Sequence, residues 1–409
     1  MPTSAVPVPP STPLRLRPFR AVRYDADRVG DPSALLAPPY DELGPARLRA
    51  LRRVPHHIAR LLHTRDPQTA ARELQRWLRR GVLRRDERPA LYLHQQQRGA
   101  RILQRGLIGD LLLPHDETGA AGRVLPHEGV STAVVRQRAA HMAGVRAQLE
   151  PLLLAYRGKG STAAQAMEHI SRRTPLLVAR IGEITHSLWA CDDEEDIALV
   201  TGDLAGGEAL IADGHHRHAA CLHLRGDNQP WNTSLALLVD STAHPLRLSA
   251  IHRVLPGLEA EKAARAAAEV ARVQSLPGGL RPPEPGELIL VGAGQAWTIT
   301  DPDPQSLDEA LAGHPQEWAV LPAAVSDHLL IGHTWSVPDL PGAVRHHHDI
   351  DRATAAVAAP GSGSALLLPA MNEDTVWGLA RNQVLLPRKS TSFGPKPVAG
   401  LALRVPGLS

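Results

Sequence analysis

The residues best able to do chemistry stand in three short stretches. The first is "LIADGHHRHAACLHLR", residues 210–225. An apolar run ends in Asp213-Gly214 and is followed at once by His215, His216, Arg217 and His218. The pattern predicts a strand that turns directly into a helix. The first turn of a helix has N–H groups without intrahelical acceptors, and the positive end of the dipole lies there, so such a turn favours an anion. Gly214 lets the backbone bend and a ligand approach, and Arg217 can fork onto phosphate oxygens. Asp213 either caps the helix or holds a Mg2+ ion that bridges phosphates. The plainer alternative is a capping Asp followed by surface histidines. A zinc site is a further alternative, because His215 and His218 are three apart on a helix. No His-Glu-x-x-His or paired-Cys spacing supplies its remaining ligands, and the second His run, "RHHHDID" at 345–351, has no strand before it.

The second stretch is "LPHEGV", with Glu128 beside a Pro turn and just ahead of a long helical pattern. A carboxylate so placed suits a general base for a hydroxyl proton, although Glu near a helix start is also favoured by the dipole alone. The third is "LPRKSTSFGPKP". It holds Lys389 and Lys396, two of only four lysines in a chain that otherwise uses Arg. Lys389, Ser390 and Thr391 place an ammonium beside two hydroxyls, a set suited to phosphate. An exposed polar loop is the alternative there. "SAIHRVL" adds His252 and Arg253 at a strand end, readable as a surface pair.

The elements that must position these groups follow from periodicity. "DPQTAARELQRWLRRGVL" reads as a helix from an Asp start to a Gly81 stop. "PALYLHQQQ" and "RILQRGLIGDLLL" read as antiparallel strands. "GVSTAVVRQRAAHMAGVRAQLEPLLLAY" reads as one long helical pattern with Ser131 as its cap, and "TSLALLVDSTAHPLRLSAIHRVL" as two strands. "GLEAEKAARAAAEVARV" is helical, "LPGGLRPPEPGE" is a long loop, and "LILVGAGQAWTIT" is a hairpin. The expected class is α/β with mixed sheets. At 409 residues, two or three domains are expected.

Composition narrows the function classes. Net charge is +3, without the one-sided basic excess that marks a nucleic-acid partner. No apolar run approaches the ~18 residues that cross a bilayer, and the Pro-rich start lacks the pattern of a secretory signal. Cys191 and Cys221 make no disulfide framework, which fits a reducing cytoplasm.

Taken in order, "LRPFRAVR", "PPYDEL", "LPHEGV", "HSLWAC", "LIADGHHRHAA", "AIHRVL" and "LPRKSTSFGPKPVAGL" resemble the successive signatures of a large bacterial family of unknown function. That family is related to the shorter archaeal ADP-dependent free-serine kinase. The resemblance covers residue 15 to the C-terminus. It implies a ParB/sulfiredoxin-like nucleotide-binding core with further N- and C-terminal α/β units. The Pro-rich composition of 1–14 marks a mobile tail, and the expected limits after it are a unit at 15–112, the core at 113–258, and a final unit at 259–409. Glu128 would stand in the place of the kinase's proposed base. Asp213, Gly214, His215, His216 and Arg217 would handle phosphate and Mg2+, with Asp213 and His216 catalytic. Lys389, Ser390 and Thr391 would close over the phosphates. The sequence departs from the family after "LPHEGV": where larger members carry Thr, Lys and an Asp-Arg pair, it reads "GVSTAVVRQR", with Gln137 before Arg138. Residues 15–112 have no counterpart in the kinase; they either build part of the acceptor pocket, with Tyr40 and Asp41 of "PPYDEL" on a rigid loop, or pack on the core.

The expected activity is phosphoryl transfer from ADP or ATP, with Mg2+, to the hydroxyl of free L-serine or a similar small amino acid. The alternative is a ParB-like regulator that binds nucleotide without chemistry.

Overall fold

The computed structural model describes residues 14–39, 43–62, 64, 66–113, 123–226 and 230–407. Tyr40, Asp41 and the Pro-rich segment 1–13 therefore lie outside the described residues. Leu14, assigned above to a mobile tail, is 5% exposed and belongs to the core with Leu16, Leu91 and Leu107.

The chain forms mixed α/β structure in two units. One comprises residues 1–125, 130–246 and 395–409; the other comprises 126–129 and 247–394. These differ from the sequential limits expected above, for a reason of strand pairing. Strand Arg101–Leu112 pairs antiparallel with both Leu91–Arg98 and Thr233–Asp240. The expected N-terminal unit therefore shares a sheet with the expected core. At the other end, Leu403 exchanges backbone hydrogen bonds with Val22, Ala399 with Ala37, and Arg404 with Gln148. The last residues thus return to the first unit.

The first unit is built on a nine-stranded sheet. Thr233–Asp240 is buried along its whole length, as a strand covered on both faces should be. It runs parallel to Leu152–Tyr156, which pairs antiparallel with Glu208–Asp213. The "GVSTAVV…LLLAY" stretch is not one helix. Thr132–Val145 is helical and ends where Arg146 turns left-handed, and Leu152–Tyr156 is a buried strand. Its apolar run is continuous rather than periodic, a pattern that periodicity cannot separate from helix. Helices Thr132–Val145 and His215–Leu224 share a small core of Ala139, Met142, Ala220, Cys221 and Trp231.

The second unit is built on a six-stranded antiparallel sheet. His252–Leu255 lies between Ser364–Leu367 and Arg345–His347. "TSLALL…HRVL" thus gives three strands rather than two, with the short Arg247–Ser249 pairing Ser392–Gly394. The expected hairpin Leu288–Gly292 with Gln295–Thr300 is present. The segment Val325–Thr334 is π-helical, a form that is rare and often found near functional groups.

Candidate functional site

In the first unit the candidate group is the turn at 213–217. Strand Glu208–Asp213 buries Ala209 through Ala212 and ends on Asp213. Gly214 is the N-cap residue of helix His215–Leu224, at φ 102°. A Cβ there would lie 2.9 Å from Leu152 Cδ2 and 3.1 Å from Arg217 Nε and Nη2. Conformation and space both demand glycine. No side chain caps this helix.

Asp213 is not the cap proposed above. Its Oδ2 accepts from Arg217 Nη2 at 2.6 Å, and its Oδ1 faces Lys396 Nζ at 3.1 Å. Arg217 also donates from Nη1 to Pro151 O at 2.9 Å and to Glu150 Oε2 at 3.4 Å. Burial pushes the Asp213 carboxyl up, but Arg217 and Lys396 outweigh it and hold the carboxyl below its ordinary value. Lys396 is aimed by its neighbours. Gln104 Nε2 donates to Pro395 O at 2.8 Å, Gln96 Nε2 donates to Lys396 O at 3.3 Å, and the two glutamines bond each other at 2.9 Å.

This arrangement corrects the metal assignment. Both oxygens of Asp213 already face a cation, which is the wrong charge environment for a resident Mg2+. Among the described residues no group of three or more His, Cys, Asp or Glu is placed to hold a metal ion. The zinc alternative falls with it. His218 is buried, and burial, reinforced by Arg225, pushes its pKa down to about 4, so it is a neutral core group. His215 is buried as well. His216 differs from both. Its Nε2 accepts the Ser131 N–H at 3.1 Å, so that nitrogen carries no proton and the neutral ring holds its proton on Nδ1. Ser131 does occupy the N-cap position of Thr132–Val145, yet its side chain makes no cap bond.

The second unit gathers the other two motifs. Glu128 Oε1 accepts the Lys389 N–H at 2.9 Å, and Leu386 donates its N–H to His127 O at 2.8 Å. His127 Nε2 and Thr391 Oγ1 are 3.0 Å apart, and the His127 ring stands edge-on to Phe393. Residues 261 positions apart in the chain are thus bonded. Lys389 has φ 59° and is exposed, and its ammonium makes no ion pair among the described residues. Ser390 is corrected: it is buried and its hydroxyl donates to Pro387 O at 2.6 Å, so it braces the loop instead of facing a ligand.

Arg253 is corrected too. It is no surface residue but is 0% exposed. It forks onto Asp327 from Nε at 2.8 Å and Nη2 at 2.7 Å, and Nη1 donates to Lys389 O at 3.1 Å. The buried ion pair therefore fixes the carbonyl of the same residue whose N–H binds Glu128. His252 beside it is buried, its pKa pushed down to about 4 by burial and then by Arg253, and its Nδ1 accepts the Leu368 N–H. Lys396, Glu150, His127 and the Arg253–Asp327 pair were not assigned roles from sequence. The scarcity of lysine and the paired His-Arg were the available signals.

The fold and these two clusters define a mixed α/β protein with a glycine-started helix turn whose charges are internally paired. The family model described as "Protein of unknown function (DUF1015)" matches residues 16–323, and the chain belongs to that family. A comparison with curated proteins returns no match. Among solved structures, a conserved hypothetical protein from Pyrococcus furiosus is 16% identical, covering 70% of this chain and 94% of its own, with a TM-score of 0.37. A variant free serine kinase in complex with ADP is 16% identical, covering 70% and 90%, with a TM-score of 0.39. SbnI with a C-terminal truncation, from Staphylococcus aureus, is 9% identical, covering 69% and 84%, with a TM-score of 0.37. The family of unknown function is the one that the sequence motifs pointed to. No helix among the described residues is long and apolar enough to cross a membrane.

Proposed function

We propose that the chain is a small-molecule kinase that moves a phosphoryl group from ADP or ATP to the hydroxyl of free L-serine or a similar small amino acid. The observation that carries this reading is the bond between Glu128 and the Lys389 N–H. It joins a carboxylate base candidate to the segment with the ammonium and hydroxyl suited to phosphate. One Glu128 oxygen is occupied by that N–H, which leaves the other to accept the proton of the acceptor hydroxyl as its oxygen attacks phosphorus. The bond from the transferred phosphorus to the nucleotide oxygen breaks, and the nucleotide leaves one phosphate shorter. The Lys389 ammonium and the Thr391 hydroxyl offset the charge that moves to the leaving group. Catalysis of this type is mostly positioning and electrostatics.

The turn at 213–217 is proposed as a phosphate-binding element of the first unit. The N–H groups of its helix N-terminus are the donors. Arg217 and Asp213 act by bracing the turn, since both are engaged with each other. A divalent cation belongs to the substrate in this reading, arriving with the nucleotide and held by phosphate oxygens and water, as Mg2+ usually is.

The test is product analysis. Purified protein incubated with ADP or ATP, Mg2+ and a pool of hydroxyl-bearing amino acids should yield a phosphorylated amino acid by mass spectrometry. Nucleotide binding without any phosphorylated product would replace the kinase by the regulator reading.

A further inference from the structure

A second polar cluster in the first unit lies away from the turn. Within the sheet, Asp213 pairs with Leu153, whereas Asp240 pairs with Tyr156 at the far end of the same strand, Leu152–Tyr156. Beyond Tyr156 the chain passes through Gly158. A Cβ at Gly158 would lie 2.4 Å from Asp240 Oδ2 and 3.0 Å from Asp203 Oδ2. The two carboxylate oxygens are therefore no more than about 5.4 Å apart, and the space between them would be filled by any side chain. Asp240 Oδ1 is satisfied by the N–H groups of Gly158 at 3.0 Å and Thr242 at 2.9 Å. Asp203 Oδ2 is buried and has no hydrogen-bond partner among the described residues.

Tyr156 supplies an independent sign of a missing ligand. It is 2% exposed, and its hydroxyl has no hydrogen-bond partner among the described residues. As the register partner of Asp240 it stands on the same face of the sheet. Its ring packs in the core with Leu204, the residue after Asp203. Burial raises the phenol pKa, and the negative charges of Asp240 and then Asp203 raise it further.

We propose that Asp203, Asp240 and Tyr156 form a binding site for one hard divalent cation. The donors are all oxygen, which selects Ca2+ or Mg2+ over softer metals. Oxygens up to about 5 Å apart are bridged by an ion at roughly 2.0–2.6 Å from each. Two carboxylates match the charge, and water completes the shell. The cation ties the end of Leu152–Tyr156 to the end of Thr233–Asp240 and to the 3-10 turn Gly202–Gly206. The site is independent of the kinase reading.

The test is the melting temperature of the full chain, nucleotide-free, stripped with chelator and titrated with CaCl2 or MgCl2 alone. At a hundredfold excess over Kd a rise of roughly 5 °C is expected for one of these ions. Asp203→Asn should abolish the rise. Asp240→Asn should do the same, but Asp240 also holds two backbone N–H groups, so Asp203→Asn is the deciding variant. Gly158→Ala, which fills the space between the oxygens, should also remove the response. An unchanged melting temperature with both ions, or a rise that persists in Asp203→Asn, would overturn the site.

Discussion

The 213–217 turn and the 128/389 cluster solve the same problem in opposite ways. In the first unit, charge holds charge: Asp213 is set between Arg217 and Lys396, and Arg217 reaches Glu150 and Pro151 O as well. In the second unit, the exposed side chains are held by backbone: Glu128 accepts a main-chain N–H, and Lys389 is fixed through its N–H and its carbonyl while its ammonium stays exposed. A motif rich in charge is thus not the one that offers charge to a ligand. The turn spends its cations internally and presents N–H donors, whereas the loop keeps its cation for use.

That contrast can be broken at its strongest point first. Glu128→Gln should lower amino-acid phosphorylation by about 10²–10⁴-fold, the usual worth of a positioned base, while calorimetry shows nucleotide binding nearly unchanged. Full activity in Glu128→Gln would remove it as the base. Next in size is Arg253→Met. It leaves the Asp327 carboxylate unpaired and frees the Lys389 carbonyl, and should cost about 3 kcal/mol in denaturant melts. The double variant Arg253→Met with Asp327→Leu should recover much of that stability but not the activity, if the pair serves to place Lys389.

Smaller effects sharpen the other side. Gly214→Ala should destabilise by roughly 1–3 kcal/mol, from a positive φ together with the contact to Leu152. A thermal melt unchanged by this substitution would contradict the tight turn. Asp213→Asn should cost about 1–2 kcal/mol near neutral pH, because two cations lose their shared partner. Its pH dependence has a definite sign. The folded carboxyl titrates below the unfolded one, so its contribution is complete above the ordinary value near 3.8 and disappears as pH falls through the lower, folded value. The stability gap between wild type and Asp213→Asn should therefore close in acid below that point. A gap constant down to pH 2 would show that the carboxylate does not hold Arg217 and Lys396 by charge.

Much of the local structure was legible in the sequence. The helix Pro67–Arg79 starts on Asp66, whose side chain accepts the Gln68 N–H, and the strand-to-helix turn falls where Asp213-Gly214 sits. Both depend on neighbours a few residues away. The errors have one source in common. Leu152–Tyr156 reads as helix, Arg253 as either a surface or a site residue and Ser390 as a ligand hydroxyl, because each is decided by partners far along the chain: Thr233–Asp240, Asp327 and the packed loop around Pro387. Asp213 reads locally as a cap or metal ligand, because its partner Lys396 stands 183 residues later in the chain.

By itself, the sequence determined the types of group present, the glycine that starts the helix and the three stretches that matter, since residue chemistry and short-range periodicity are local. Only the tertiary structure decided which of those charges are paired. A carboxylate's partners are set by strands and loops that meet across hundreds of residues, and a pairing at 3 Å leaves no trace in spacing along the chain.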